Sequence, residues 1–224
     1  MHQRKSKKIL IYFFLLILVG SINNNSINNL KLEKVKKINI FGLEKNDQKI
    51  ILYKLNNLDL KNIFFINKRK FQNIIESNSL VEEYNVIKIY PHSININIKK
   101  TSFIARINKN GKFFLIGNNG KLSDNNNSAI QLPYIFGNPE IKEVLELKKI
   151  IDQSNIDYSQ IKSLYYFKSK RWDLKFTNSI VIKLPEKIEK ETLDKISIFL
   201  KNIKLENKEI VDARIKNQII ILDE

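Results

Sequence analysis

The sequence has 224 residues, 43% of them hydrophobic, with a net charge of +16 and no cysteine. That composition excludes a disulfide framework, a thiol nucleophile and any cysteine-based metal site, so the fold must rest on core packing. The charge would suit nucleic acid, anionic lipid or an acidic polymer, but no Lys/Arg block is interleaved with glycine or aromatics, and a lysine-rich solvated surface is the favoured reading.

Arg4, Lys5, Lys7 and Lys8 precede an apolar run, Ile9–Val19, and an uncharged stretch, Asn23–Leu30, follows it. The positive-inside rule then places the tail in the cytoplasm and the bulk of the chain outside. A span takes about 20 apolar residues, so this one is short. Lys7 and Lys8 can snorkel to lengthen it. A cleaved signal peptide is the competing reading, because its apolar core is about 7–15 residues long. Val19-Gly20-Ser21 offers small residues for cleavage, without an A-x-A site. The expected layout is a cytoplasmic tail (1–8), a transmembrane anchor (9–24), a linker (25–33) and two exported domains (34–106 and 107–224).

In the first exported domain, Val35–Phe41 alternates as a strand and Gly42 ends it. Asn46 or Asp47 can cap a helix in which Ile51, Leu55 and Leu58 share one face. Leu60–Ile66 is an apolar connector, and a second helix starts after Asn67 with Phe71, Ile74 and Ile75 together. Val86–Tyr90 reads as a strand, Pro91-His92 as a turn, and Ser93–Lys99 as a strand with isoleucine at every second position. The order strand-helix-helix-strand-strand predicts a compact α+β unit with both helices on one face of a small sheet.

In the second, Lys112–Ile116 is a strand, Gly117-Asn-Asn-Gly120 a turn, and Lys121-Leu122 the return. Asp124–Ser128 is a polar loop, and Leu132–Gly137 is extended and interrupted by Pro133. A helix follows Pro139, with Ile141, Val144, Leu145, Ile150 and Ile151 on a broad stripe. Ile161–Phe167, Arg171–Phe176 and Ser179–Leu184 predict a meander. A helix carries Leu193, Ile196, Leu200 and Ile203. Ile210–Ile215 and Gln218–Leu222 form a hairpin across Lys216-Asn217. The fold class is therefore α+β: one N-terminal transmembrane helix, a β-α-α-β-β domain, and a mixed β domain with flanking helices.

Two groups of motifs resemble a known family. Val35-x-x-Ile-x-Ile-x-Gly42, the two helices, Val86-x-Lys-x-Tyr-Pro91 and Ile94-x-Ile-x-Ile98 resemble a POTRA domain. Phe114-Leu-Ile-Gly-Asn-Asn-Gly-Lys-Leu122, Leu132-Pro133, Arg171-Trp-Asp-Leu-x-x-x-Asn178, Ile182-x-Leu-Pro185 and Val211-Asp-x-Arg214 resemble the β domain of the FtsQ/DivIB family of bacterial cell-division proteins. The order of parts matches as well. Ala213 departs from the pattern, standing where the family usually has Leu. The resemblance implies a non-enzymatic scaffold of the divisome, single-pass in the inner membrane and concentrated at the division site, with FtsB- and FtsL-like proteins as partners. The alternative is a POTRA-containing chaperone of export or envelope assembly.

The residues offer no chemistry to set against that. His2 lies in the tail and His92 in a turn, neither with a spaced metal-binding or nucleophilic partner. No catalytic, metal or cofactor site is expected. Ile219–Leu222 is apolar and β-prone, with no Pro, Lys or Gly to discourage pairing. It is either an inner strand or an edge to which another chain adds a strand. The resemblance implies the second, with Ile215, Gln218, Ile219, Ile220, Ile221 and Leu222 as the docking segment and Arg171 and Trp172 beside it. Trp172 reads equally well as a core residue or an interface anchor. Arg214 and Asp212 are expected to form only a surface ion pair.

Overall fold

The computed structural model of the chain describes residues 5–22, 34–58, 60, 62–64, 66–124, 131–202, 209–215 and 218–223. The expected linker at 25–33, most of the polar loop after Asp124, Ile203 and the Lys216-Asn217 turn lie outside the described residues.

Helix α1 (Lys5–Ile22) forms where the apolar run predicts it. The expectation of a full transmembrane span needs correcting: among the described residues, no helix is long and apolar enough to cross a membrane. Its 18 residues rise about 27 Å. Lys5, Lys7 and Lys8 occupy its first turn, so the apolar part falls well short of the roughly 30 Å of a hydrocarbon core. Ile9–Val19 is nevertheless exposed along its whole length.

The first exported unit comprises β1 (Lys37–Phe41), α2 (Lys45–Asn56), α3 (Lys68–Glu76), β2 (Val81–Ile89) and β3 (Ser93–Lys100). The strands lie in the order β1-β3-β2, with β1 parallel and β2 antiparallel to β3. The alternation of isoleucines has the expected consequence: Ile94, Ile96 and Ile98 are buried with Ile40, Ile51, Leu55, Phe71 and Ile75. Gly42 adopts φ +90°, and a Cβ there would fall 1.8 Å from the Ile98 carbonyl oxygen. Asn67 caps α3 as predicted, its side chain accepting from the Lys70 N–H at 3.1 Å. By contrast, α2 begins two to three residues earlier than an Asn46 or Asp47 cap requires, with Glu44 at the cap position. Asp47 sits inside its first turn, where its charge complements the helix dipole. Strand β2 starts at Val81, before the expected Val86, because a bulge between Val81 and Glu83 hides the alternation.

The second unit holds β4 (Phe103–Lys109), β5 (Lys112–Gly117), β6 (Leu122–Ser123), β7 (Tyr134–Phe136), α4 (Ile141–Gln153), β8 (Ile161–Tyr166), β9 (Trp172–Phe176), β10 (Val181–Lys183), α5 (Lys190–Asn202), β11 (Glu209–Asp212) and β12 (Ile220–Asp223). They form one nine-stranded sheet, β12-β11-β10-β9-β8-β7-β4-β5-β6. The expected boundary at 106/107 falls inside β4, whose partners β5 and β7 both belong to this sheet. A bulge between Phe103 and Ala105 buries Ile104 and Ala105 in succession, and so erases the period-2 signal. The meander β8-β9-β10 is present. Helix α5 then makes the crossover to β11, which lies parallel to β10. The Glu140 N–H donates to the Glu143 carboxylate at 2.8 Å, fixing the start of α4.

Candidate partner-docking edge

The candidate site is built from three cross-strand rows. Ile135, Leu164, Leu174, Ile182, Val211 and Ile221 follow one another by register across six strands. The first five are buried in the core beneath α4 and α5. Ile221 is the same row carried one strand further, and it is 39% exposed because, among the described residues, no further strand pairs beyond it. On the opposite face runs Phe136, Tyr165, Asp173, Lys183, Asp212 and Ile220. A second row on that face ends in Val181, Ile210 and Leu222. Ile220 and Leu222 are 40% and 42% exposed. Among the described residues, strand β12 is therefore the last strand of the sheet, paired on one side only, with Ile220 and Leu222 on one face and Ile221 on the other.

The middle of the outer row is a charge ladder. Asp173 is buried and receives Arg171 Nε at 3.4 Å, while the Arg171 guanidinium lies 4.7 Å from the Phe167 ring centroid. Burial pushes the Asp173 carboxyl up from its ordinary value, against the pull of Arg171, Lys183 and Arg214. Asp212 is also buried. Its carboxylate accepts Arg214 Nε at 2.8 and 2.9 Å as well as Arg214 Nη2, and its Oδ1 takes the Arg214 N–H at 3.0 Å. The Arg214 hydrogen bonds hold the Asp212 carboxyl below its usual range. This is a fixed, forked pair and not the loose surface contact expected from the sequence. The ladder places two arginines on the face that ends at Ile220.

The predicted docking residues divide. Ile220, Ile221 and Leu222 form the edge itself, and Arg171 joins them through the ladder. Ile215, Gln218 and Ile219 do not belong to the strand: β11 stops at Asp212 and β12 starts at Ile220, so the expected hairpin is shorter and its loop longer. Those three instead line a cavity of about 550 Å³ with Pro185, Ile196 and Arg214 at the start of β12. Trp172 is removed from the docking surface, since it is 4% exposed with its ring 4.8 Å from that of Tyr166 in the core. Asp173 and Lys183 were missed. The signal for Asp173 was the spacing Arg171-x-Asp173, which puts both side chains on one face, opposite Trp172, whereas Lys183 reaches it only through the register of β9 and β10. Among the described residues, no group of three or more His, Cys, Asp or Glu side chains is arranged to hold a metal ion.

The fold and its open edge define a two-unit module: a small α+β domain followed by a mixed sheet whose last strand is free on one side. The FtsQ-type POTRA domain matches residues 33–100, and the C-terminal domain of the cell division protein FtsQ/DivIB matches residues 105–214. Cell division protein FtsQ of Rickettsia bellii is 30% identical over 195 residues, covering 84% of this chain and 72% of that one. Its counterpart from Rickettsia felis is 29% identical with the same coverage. The major extracytoplasmic domain of DivIB from Geobacillus stearothermophilus overlaps 47% of this chain and 99% of its own, at 14% identity and a TM-score of 0.34, too loose a likeness to carry weight. The chain belongs to the FtsQ/DivIB family of cell division proteins.

Proposed function

We propose that this chain is a non-enzymatic, membrane-anchored scaffold of the bacterial division machinery, and that FtsB- and FtsL-like partners dock on it by adding a strand to β12. One observation carries the reading: β12 ends the nine-stranded sheet, with Ile220, Ile221 and Leu222 each about 40% exposed. Strand addition would complete the core row beyond Ile221 on one face and cover Ile220 and Leu222 on the other, with main-chain hydrogen bonds supplying affinity. Arg171 and Arg214 would receive acidic side chains of the partner. Family membership favours this role over a chaperone of export or envelope assembly.

The anchoring is proposed from α1. An apolar helix exposed on all sides needs a cover, and lipid supplies one. Lys7 and Lys8 would reach lipid headgroups beside the inserted apolar run. A fluorescent fusion of the full chain in dividing cells tests the reading. Rings at mid-cell that depend on Ile220–Leu222 support it, and uniform envelope signal overturns it.

A further inference from the structure

The turn Gly117–Lys121, between β5 and β6, does more than reverse the chain. It is closed by Gly117 N–H to Lys121 O at 3.0 Å and Gly120 N–H to Gly117 O at 2.9 Å. Its side chains reach into the other domain. Lys121 Nζ donates to the carbonyl of Glu76 at 2.6 Å, and lies 3.3 and 3.4 Å from those of Asn78 and Val81. Asn119 Nδ2 donates to the carbonyls of Ser79 at 2.9 Å and Val81 at 2.8 Å. Asn119 Oδ1 takes the Lys121 N–H at 3.0 Å, so both ends of that amide are engaged. Asn118 and Asn119 also bind the interdomain segment 101–102, through Ser102 O, Ser102 Oγ and Thr101 Oγ1.

Every carbonyl that Lys121 and Asn119 reach belongs to the corner joining α3 to β2. Carbonyls at a helix C-terminus lack intrahelical partners and carry the negative end of its dipole. Helix α3 has no basic residue in its own last turn. Lys121 supplies that cation from the other domain. Gly117 is required by the same packing, because a Cβ there would lie 2.6 Å from Asn119 Oδ1 and 3.0 Å from the Thr101 methyl group.

We propose that the Gly117–Lys121 turn is an interdomain latch: it caps the C-terminal end of α3 from outside and makes the POTRA and β domains move as one body. The docking edge is thereby held at a fixed attitude to the POTRA domain, rather than swinging on residues 101–102.

The chain has no cysteine, so paired labels can be introduced without background. Spin labels on Tyr53→Cys in α2 and Lys162→Cys in β8, both exposed, report the distance between domains in the full chain in nanodiscs. The parent should give a single narrow distribution. Lys121→Met, which keeps the stem and removes the charge, should broaden it at least twofold, and Asn119→Ala should do the same. Gly117→Ala should broaden it by displacing Asn119, whereas Lys112→Met at the exposed start of β5 should leave it narrow. A broad distribution in the parent, or an unchanged width in Lys121→Met, overturns the latch. Should Gly117→Ala not fold, Lys121→Met alone decides.

Discussion

A proline scan across Ile220, Ile221 and Leu222 separates an edge that docks a partner from one that merely ends a sheet. In an antiparallel ladder, successive residues alternate between bonding the neighbouring strand and pointing their N–H groups away from it. Strand β12 pairs with β11 from Asp212↔Ile220 to Glu209↔Asp223. Proline at a position bonded to β11 removes a ladder donor and destabilises the sheet. Proline at an outward position leaves β11 untouched and removes a donor that only the partner uses. The net value of one such bond is about 0.5–1.5 kcal/mol, or roughly a two- to twelvefold loss of affinity. The added ring also obstructs the approaching strand, so at least a tenfold loss is expected. The assay is titration of the full chain in nanodiscs with a labelled FtsB-type peptide, beside thermal unfolding of each variant. Affinity should fall without a change in melting temperature at alternate positions, and the melting temperature should fall at the others. Three variants that retain both their melting temperatures and full affinity refute strand addition at β12.

Three further outcomes follow from the same geometry. Trp172→Ala should lower stability by about 3–5 kcal/mol, the usual cost of truncating a buried aromatic, whereas Trp172→Phe should leave partner affinity within twofold; calorimetry and titration measure the two. Asp212 has a folded-state pKa below its ordinary value, so its contribution is complete well above that ordinary value and disappears as pH falls through the lower folded value; Asp212→Asn should therefore melt earlier than the parent at pH 6, with the gap closing as the medium is acidified through the folded value. Leu15→Arg in the exposed run of α1 should shift the protein from the membrane to the soluble fraction on carbonate extraction, and unchanged retention would refute insertion of this helix.

Much of the fold was legible because its signals are local. The alternation Ile94, Ile96, Ile98 could only be a half-buried strand, and Asn67 before Phe71, Ile74 and Ile75 could only open an amphipathic helix. What escaped was non-local or irregular. Bulges at Val81/Glu83 and Phe103/Ala105 put buried residues out of step, which shortened β2 in the reading and concealed β4. The site was half legible. Apolar Ile219–Leu222 marks a strand, but only the sheet order places it at an edge. Trp172 stood beside Arg171 in sequence, yet neighbouring residues on a strand face opposite ways: one entered the core and the other joined the outer ladder.

If a partner docks on β12 as proposed, the shortness of the strand would keep so apolar an edge selective. Covering the exposed two-fifths of three aliphatic side chains is worth about 1 kcal/mol each, and a four-residue strand offers about two outward hydrogen-bonding positions of comparable value. The gross gain of about 5 kcal/mol lies at the low end of the 4–15 kcal/mol cost of association. Two copies pairing edge to edge gain nothing more, and their positive charges repel. A partner with carboxylates opposite Arg171 and Arg214 adds charge-assisted hydrogen bonds of about 1.5–3 kcal/mol each, enough to tip the balance. Arg214 is poised for this, because Asp212 engages its Nε and Nη2 and holds the guanidinium in place while its side chain remains 42% exposed. On the proposed docking, the backbone edge would recognise any strand weakly, and the ladder beside it would decide which strand stays.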